Sequence, residues 1–319
     1  MRRTFFYSTY SFWEYKVLRV AARLSPAFAA VTLACGLVGC ETTRQATVVT
    51  SPPTVVAKAP PRLPRIGLAL GGGAARGFAH IGVLQVLEEQ GIKPDLIVGT
   101  SAGSVVATLY AAGNTPSELG TMAMSLDESS ITDWVFPGRS LLKGEALAKF
   151  VRSHTSGKQI EGMRLPLGIV ATDLHSGQPI LFRRGDPGVA VRASSSVPAV
   201  FEPVKIGGHE YIDGGAVSPI PVRFAKQMGA ELIIAVDISS LPEGQPTKGA
   251  IDILMQTFNI MGHTISELEM QDADIVMRPK LDGIGSAEFS ARRLSILAGR
   301  EAALTMLASL REKIAAKTR

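Results

Sequence analysis

Aromatic side chains are scarce, at 6% of the 319 residues, and excess charge is scarce too once the N-terminus is set aside. Residues 1–39 carry Arg2, Arg3, Lys16, Arg19 and Arg23 against one acid, Glu14, which accounts for most of the formal net charge of +5. They also hold eight of the aromatic side chains. The rest of the chain is close to neutral and poor in stacking surface, so it lacks the electrostatic footprint and the base-stacking platform of a nucleic-acid binder. Cysteine is limited to Cys35 and Cys40, which excludes a disulfide framework. Long apolar runs near the N-terminus are missing as well. Residues 26–38 (PAFAAVTLACGLV) are free of charge but fall short of the roughly 20 residues that a spanning helix needs. Whole-chain disorder is excluded in turn, because 46% hydrophobic and 19% charged residues can bury a sizeable core.

The N-terminus reads as an address. A basic stretch ending at Arg23, a short apolar segment and small residues before a break describe a secretory signal peptide over residues 1–39. Leu37-Val38-Gly39-Cys40 resembles the bacterial lipobox. That resemblance implies lipidation of Cys40 as the first residue of the mature protein; an ordinary signal peptide with a chance cysteine is the alternative. Cys35 would be discarded, leaving no intrachain disulfide. Residues 1–16 are unusually aromatic for such a signal, and a start near Val17 would leave a more typical one. Residues 40–64, with Pro52-Pro53 and Pro60-Pro61, read as an extended tether. Glu41 stands where an aspartate commonly signals inner-membrane retention, so the expected location is the periplasmic face of the outer membrane. Residues 65–319 form the remaining region, treated as one domain.

Within that domain, RIGLAL at 65–70 is a buried strand running into glycines. A helix is expected from Phe78 to a stop at Gly91, and a strand over 96–98 feeds a helix from about Ser101 to Ala112. Further strands are expected at 167–171, 180–183 and 232–236, with a helix at 224–228 and longer helices at 251–269 and 291–317. The Met and Leu residues of those last two helices are expected in the core. Alternating strands and helices indicate an α/β layer architecture with a mostly parallel sheet.

Three constellations could carry chemistry. Gly99-Thr100-Ser101-Ala102-Gly103 lies at a strand-to-helix turn, the setting in which G-x-S-x-G presents a nucleophilic serine; the alternative is Ser101 as a helix cap. Gly71-Gly72-Gly73-Ala74-Ala75-Arg76-Gly77 fits neither the dinucleotide fingerprint nor the P-loop. It fits a loop whose backbone N–H groups stabilise an oxyanion. Asp213-Gly214-Gly215 is an acid in a glycine turn. A Ser-acid-His order is met by Ser101, Asp213 and His263, but His263 falls mid-helix with no signal placing it at a sheet edge.

Together these blocks resemble the three signatures of the patatin-like phospholipase family, in the family's order. Residues 193–198 (ASSSVP) with Phe201 are similar to the block preceding the acidic motif. The resemblance covers about 65–280 and implies a three-layer α/β/α fold with a mostly parallel central sheet. It implies a dyad with Ser101 as nucleophile and Asp213 as base, and no histidine. It implies an oxyanion hole from the loop of Gly71, Gly72, Gly73, Ala74, Arg76 and Gly77, with Arg76 supporting the loop or attracting an anionic headgroup. Gly99 and Gly103 would shape the elbow, Gly214 and Gly215 the acidic turn, and Asp173 would be structural. Neither cofactor nor metal is implied. The expected function is therefore a membrane-tethered lipid acyl hydrolase of phospholipase A, lysophospholipase or esterase type. An acyltransferase using the same dyad and a non-catalytic envelope lipoprotein are the alternatives. The basic excess of 292–319 reads as a solvated helix face, with an anionic bilayer as the other possibility.

Overall fold

The computed structural model describes residues 61–134, 140–244, 247–285 and 288–319. The signal segment, Cys40 and the tether up to residue 60 lie outside the described residues. Arg62 is already tied to the domain: its guanidinium bonds Glu231 at 2.8 Å and its backbone pairs with Arg319.

Five buried residues make β1 (Ile66–Leu70), which runs into the glycine loop and then α1 (Phe78–Glu89). β2 (Leu96–Thr100) leads into α2 (Ala102–Ala112). α3 (Pro116–Ser125) comes after it, opened by a capping box in which Thr115 and Glu118 exchange side-chain and backbone hydrogen bonds. Next come α4 (Glu145–His154), β3 (Leu167–Asp173), β4 (Pro179–Phe182) and α5 (Pro187–Ser194). The hairpin of β5 (Val204–Ile206) and β6 (His209–Asp213) precedes α6 (Val222–Gln227) and β7 (Leu232–Val236). The chain closes with α7 (Ala250–Met270), β8 (Ile275–Met277) and α8 (Arg292–Lys317).

The strands form one sheet whose hydrogen-bonded neighbours follow the path β5-β6-β3-β2-β1-β7-β8, with β4 on the opposite edge of β3 from β2 and β6. β8, β7, β1, β2 and β3 are parallel, whereas β4, β5 and β6 run antiparallel to their neighbours. Alternation along the strands splits the core into two layers. Leu68, Leu70, Ile97 and Ile234 pack with α1, α2 and α8 on one face, and Ala69, Val98 and Ile233 pack with α6 on the other. The three-layer α/β/α expectation holds.

The late helices differ from expectation. Met270 and Leu310 are buried, but Leu254, Met261 and Leu268 of α7 and Leu294, Leu297 and Leu304 of α8 are exposed. For α8 the reason is a contact stripe made of small residues, Ser295, Gly299 and Ala303, with Leu310. It crosses α1 so closely that a Cβ on Gly299 would strike the Ala79 carbonyl, and one on Gly82 the Ile296 carbonyl. The basic side chains of α8 are largely engaged: Arg292 donates to the Ala123 and Leu126 carbonyls, Arg300 grips Glu89, and Lys317 pairs with Asp274.

Backbone-on-backbone packing leaves no room for repacking. Gly82→Ala and Gly299→Ala are each expected to destabilise the domain by about 1–3 kcal/mol in denaturant titration. Gly162→Ala, where an added methyl group meets nothing within 4 Å, should stay within about 0.5 kcal/mol of the parent.

Candidate active site

β3 has two edges. β4 covers one of them along residues 169–172. On the other, β2 pairs only as far as Thr100 opposite Val170, and β6, running the opposite way, ends at Asp213 opposite Ala171. β2 and β6 therefore meet end to end on one edge of one strand, and each chain must leave the sheet there. β2 leaves at Ser101 and β6 at Asp213.

Ser101 makes its exit with φ 52° and ψ −125°, a strained backbone for a residue with a Cβ. Neighbouring groups hold it there. Its N–H donates to Ser194 Oγ at 2.9 Å, Ser194 Oγ donates to the Val170 carbonyl at 2.6 Å, and Ser104 Oγ donates to the Ser101 carbonyl at 2.6 Å. α2 starts at the next residue, so its N-terminal dipole points at the hydroxyl. Gly103 lets that first turn rest on the Leu70 and Gly71 carbonyls, and Gly99 faces Gly103 across the elbow. Gly72 passes so near that a Cβ there would sit 3.2 Å from Ser101 Cβ, and one on Gly77 would meet Ala102 Cβ at 2.8 Å.

Asp213 is fixed at both backbone groups: its N–H donates to the Ser196 carbonyl at 2.9 Å, and its carbonyl accepts from Thr172 Oγ1 at 2.9 Å. Oδ1 accepts from the Gly215 N–H at 2.6 Å, while Oδ2 is buried with no hydrogen-bond partner. Gly214 brings the turn against the Val170 carbonyl and Thr100. Burial pushes the Asp213 carboxyl up to about 6, opposed by the Ser101 hydroxyl and the Gly215 N–H. The hydroxyl thus acts on the carboxyl, but across a gap longer than a formed hydrogen bond. Such contacts commonly tighten only when substrate is present.

The glycine loop narrows the expected donor set. The Gly71 N–H donates to the Val236 carbonyl and the Gly72 N–H to the Pro219 carbonyl, each at 3.0 Å. Neither amide is free for an oxyanion. Among the described residues the Gly73 and Ala74 N–H groups have no partner, and Ala74 is held at φ 50°. Arg76 points inward: it is 7% exposed and its Nε donates to the Gly73 carbonyl at 3.4 Å. Burial lowers its pKa to about 10 against the pull of Asp237. It supports the loop and presents little charge to a headgroup.

Two contributors carry no role in the sequence reading. His80 is fully buried, with Nε2 2.8 Å from the Gly71 carbonyl. Burial lowers its pKa to about 4, so it is neutral at pH 7, and the carbonyl assigns the proton to Nε2. Ser194 belongs to the small-residue run at 193–198, where the pattern marks a block without a partner for each side chain.

The other candidates fall outside the pair. His263 is half-buried on α7, and among the described residues no histidine bonds Ser101 or Asp213. Asp173 caps the β3–β4 turn through the His175 and Ser176 N–H groups and bonds His209 at 2.7 Å. Among the described residues no cluster of three or more His, Cys, Asp or Glu side chains is arranged to hold a metal ion. A groove of about 740 Å³ between α1, α3 and α8 lies away from this site.

The sequence model of the patatin-like phospholipase family matches residues 68–226, a span that takes in the glycine loop, Ser101 and Asp213. An uncharacterized NTE family protein of Mycobacterium tuberculosis is 36% identical over 208 residues, covering 64% of this chain and 58% of that protein. A lysophospholipase of Aspergillus fumigatus is 30% identical over 258 residues, covering 70% of this chain and 17% of the fungal protein. The chain thus spans less than two thirds of either relative. In fold it is similar to VipD from Legionella pneumophila, with a TM-score of 0.54 over 77% of this chain and 67% of that one, at 13% identity. Sequence match and sheet architecture agree, and the chain belongs to the patatin-like phospholipase family.

Proposed function

We propose that this protein is a serine acyl hydrolase of lipid esters that works through Ser101 and Asp213. The observation that carries the reading is the meeting of β2 and β6 on one edge of β3. It sets a strained serine beside a buried carboxylate whose Oδ2 has no other partner. The lysophospholipase name of the fungal relative supports a lipid ester as substrate.

The groups present define the chemistry. Ser101 Oγ attacks the ester carbonyl carbon while its proton passes to Asp213 Oδ2. The carbonyl π electrons move to oxygen, and the free Gly73 and Ala74 N–H groups with the α2 N-terminus stabilise that charge. The C–O bond to the leaving alcohol then breaks, the alcohol taking the proton from Asp213, and an acyl-enzyme remains. Water, giving a proton to Asp213, attacks the acyl carbon. Collapse of the second intermediate frees the fatty acid and returns the proton to Ser101.

The cellular setting belongs to the same reading. A lipid on Cys40 would hold the enzyme in the bacterial envelope beside its substrate, facing the periplasm from the outer membrane. Metabolic labelling with an alkyne fatty acid tests this, with label expected on the parent and lost in Cys40→Ala.

Ser101→Ala and Asp213→Asn are each expected to lower hydrolysis of p-nitrophenyl esters and lysophospholipids by about a thousandfold or more. Ser101→Ala should also lose labelling by a fluorophosphonate. His263→Ala should stay within about twofold of the parent. A folded parent that neither labels nor turns over any ester overturns the proposal.

Asp213 must be ionised to accept the proton, so kcat/KM should be flat above pH 6 and fall about tenfold per unit below it. The same shift sets stability. Below about pH 4 both folded and unfolded chains carry a protonated Asp213, and nothing is lost. As pH rises through about 6, the folded state must bear a buried charge that the unfolded state bears more cheaply. Asp213→Asn should therefore stabilise the fold by up to about 3 kcal/mol at pH 7.5, and the gain should vanish near pH 4. Thermal unfolding at the two pH values measures it.

A further inference from the structure

α7 turns polar as well as apolar side chains inward, and Met255, Phe258 and Ile265 are half-buried. At 3.6 residues per turn, Gln256, Asn259, His263 and Ser266 share the side that carries buried Met270. The opposite side carries Ile253, Ile260, Met261 and Leu268, with Thr257 and Thr264 between them. Ile253 is 55% exposed, Ile260 50%, Met261 53% and Leu268 63%. A helix packed on a protein in water usually turns a polar face to solvent, not such an apolar row. No Asp, Glu, Lys or Arg occurs between Ile253 and Ser266.

The inward face is poorly satisfied. Gln256 Oε1, Ser266 Oγ and Glu269 Oε2 are buried without a hydrogen-bond partner. Even so, the helix is joined to the segment that follows Asp213. Ser218 Oγ donates to Glu269 Oε1 at 2.6 Å, and the Ser218 carbonyl accepts from Thr100 Oγ1 at 2.8 Å. Gly262 faces the ring of Pro219, whose carbonyl holds the Gly72 N–H. The apolar face therefore lies on the helix that walls the segment after Asp213, which holds Thr100 and the Gly72 N–H.

We propose that the outward face of α7 is a docking surface for a zwitterionic lipid interface, a role that rests on the lipid-ester reading of the site. An apolar stripe that is free of charge from Ile253 to Ser266, beside the segment after Asp213, suits the acyl boundary of a bilayer, where no charge has to be desolvated. Among the described residues no helix is long and apolar enough to cross a membrane, so α7 would lie in the interface plane. There it would bring Ser101 to the ester.

The test uses the full chain. Ile260→Trp, in a Ser101→Ala background, reads local insertion through quenching by vesicles of brominated phosphatidylcholine. Quenching about twofold above the Ser101→Ala parent is expected, and none above it overturns the docking surface. Because quenching needs no turnover, it decides the question even if the hydrolase reading fails. In the active chain, Ile260→Glu with Met261→Glu should lower hydrolysis of phosphatidylcholine vesicles about tenfold and leave monomeric p-nitrophenyl butyrate unchanged. Ile260→Leu with Met261→Leu should retain both activities. Equal loss on the two substrates overturns the proposal. So does a change from dimer to monomer with vesicle hydrolysis intact, which would make a second copy of the chain the occupant.

Discussion

One edge of β3 is shared by two strands, and the site depends on how that conflict is resolved. A parallel strand, β2, climbs to Thr100, and an antiparallel strand, β6, descends to Asp213, so neither can continue without running into the other. Both chains must turn out of the sheet within a residue or two. Turns that sharp demand residues without side chains at Gly103 and Gly214, where a methyl group would overlap the carbonyls of Leu70 and Val170. The serine sits at one exit and the acid at the other, so their proximity is a consequence of sheet register. α5 locks the arrangement from one side: Ser194 holds the Ser101 N–H, and the Ser196 carbonyl just beyond the helix holds the Asp213 N–H. A positive φ at a serine costs on the order of 1–3 kcal/mol, and it persists because the surrounding hydrogen bonds allow nothing else.

The same crowding excludes water, and dryness sets the acid–base chemistry. In water an aspartate is a weak base for a serine hydroxyl. Here burial raises the Asp213 carboxyl to about 6, while the Gly215 N–H prevents a larger rise. The carboxylate is thus ionised at neutral pH yet appreciably more basic than a solvated one. His80, in the same dry layer, is pushed the other way and stays neutral. It is an imidazole that can donate to the Gly71 carbonyl and steady the loop, but its low pKa leaves it no part as the base. The carboxylate is pushed up and the imidazole down, and burial is the common cause.

Much of this is legible in the sequence because it rests on local chemistry. RIGLAL before three glycines, and LIVGTSAG, fix strand, turn and helix by pattern alone, and Asp213 is marked by its glycines. Less is legible where length or context decides. β5 and β8 have three residues each, too short for a period to register. α3 to α5 are short helices, two of them started by side-chain caps at Thr115 and Asp186. The order of β6 on β3 has no local signature. Nor does sequence say which loop amides are already engaged: Gly72 looks like an oxyanion donor until Pro219 is seen to accept its N–H. α7 shows the limit most clearly. Its pattern has an apolar side and a polar side, but periodicity does not say which of them meets the protein.

The two helical layers are unlike, and the difference bears on function. On one face α1 and α8 touch backbone to backbone at Gly82 and Gly299, a contact that cannot slide without a clash. Behind β1 and β2 that layer is a rigid support, and it fixes the origins of the glycine loop and the elbow. On the other face α7 buries only Ser266 and Met270 and leaves inward polar atoms unpaired. Few buried contacts and unsatisfied polar groups mark the low-stability end of a structure. The glycine loop and the elbow that carries Ser101 are thus mounted on the rigid layer. The helix that would exchange water for lipid belongs to the other one, and touches the segment after Asp213 at Glu269 and Gly262. That division would let an interface be engaged without disturbing the glycine loop and the elbow.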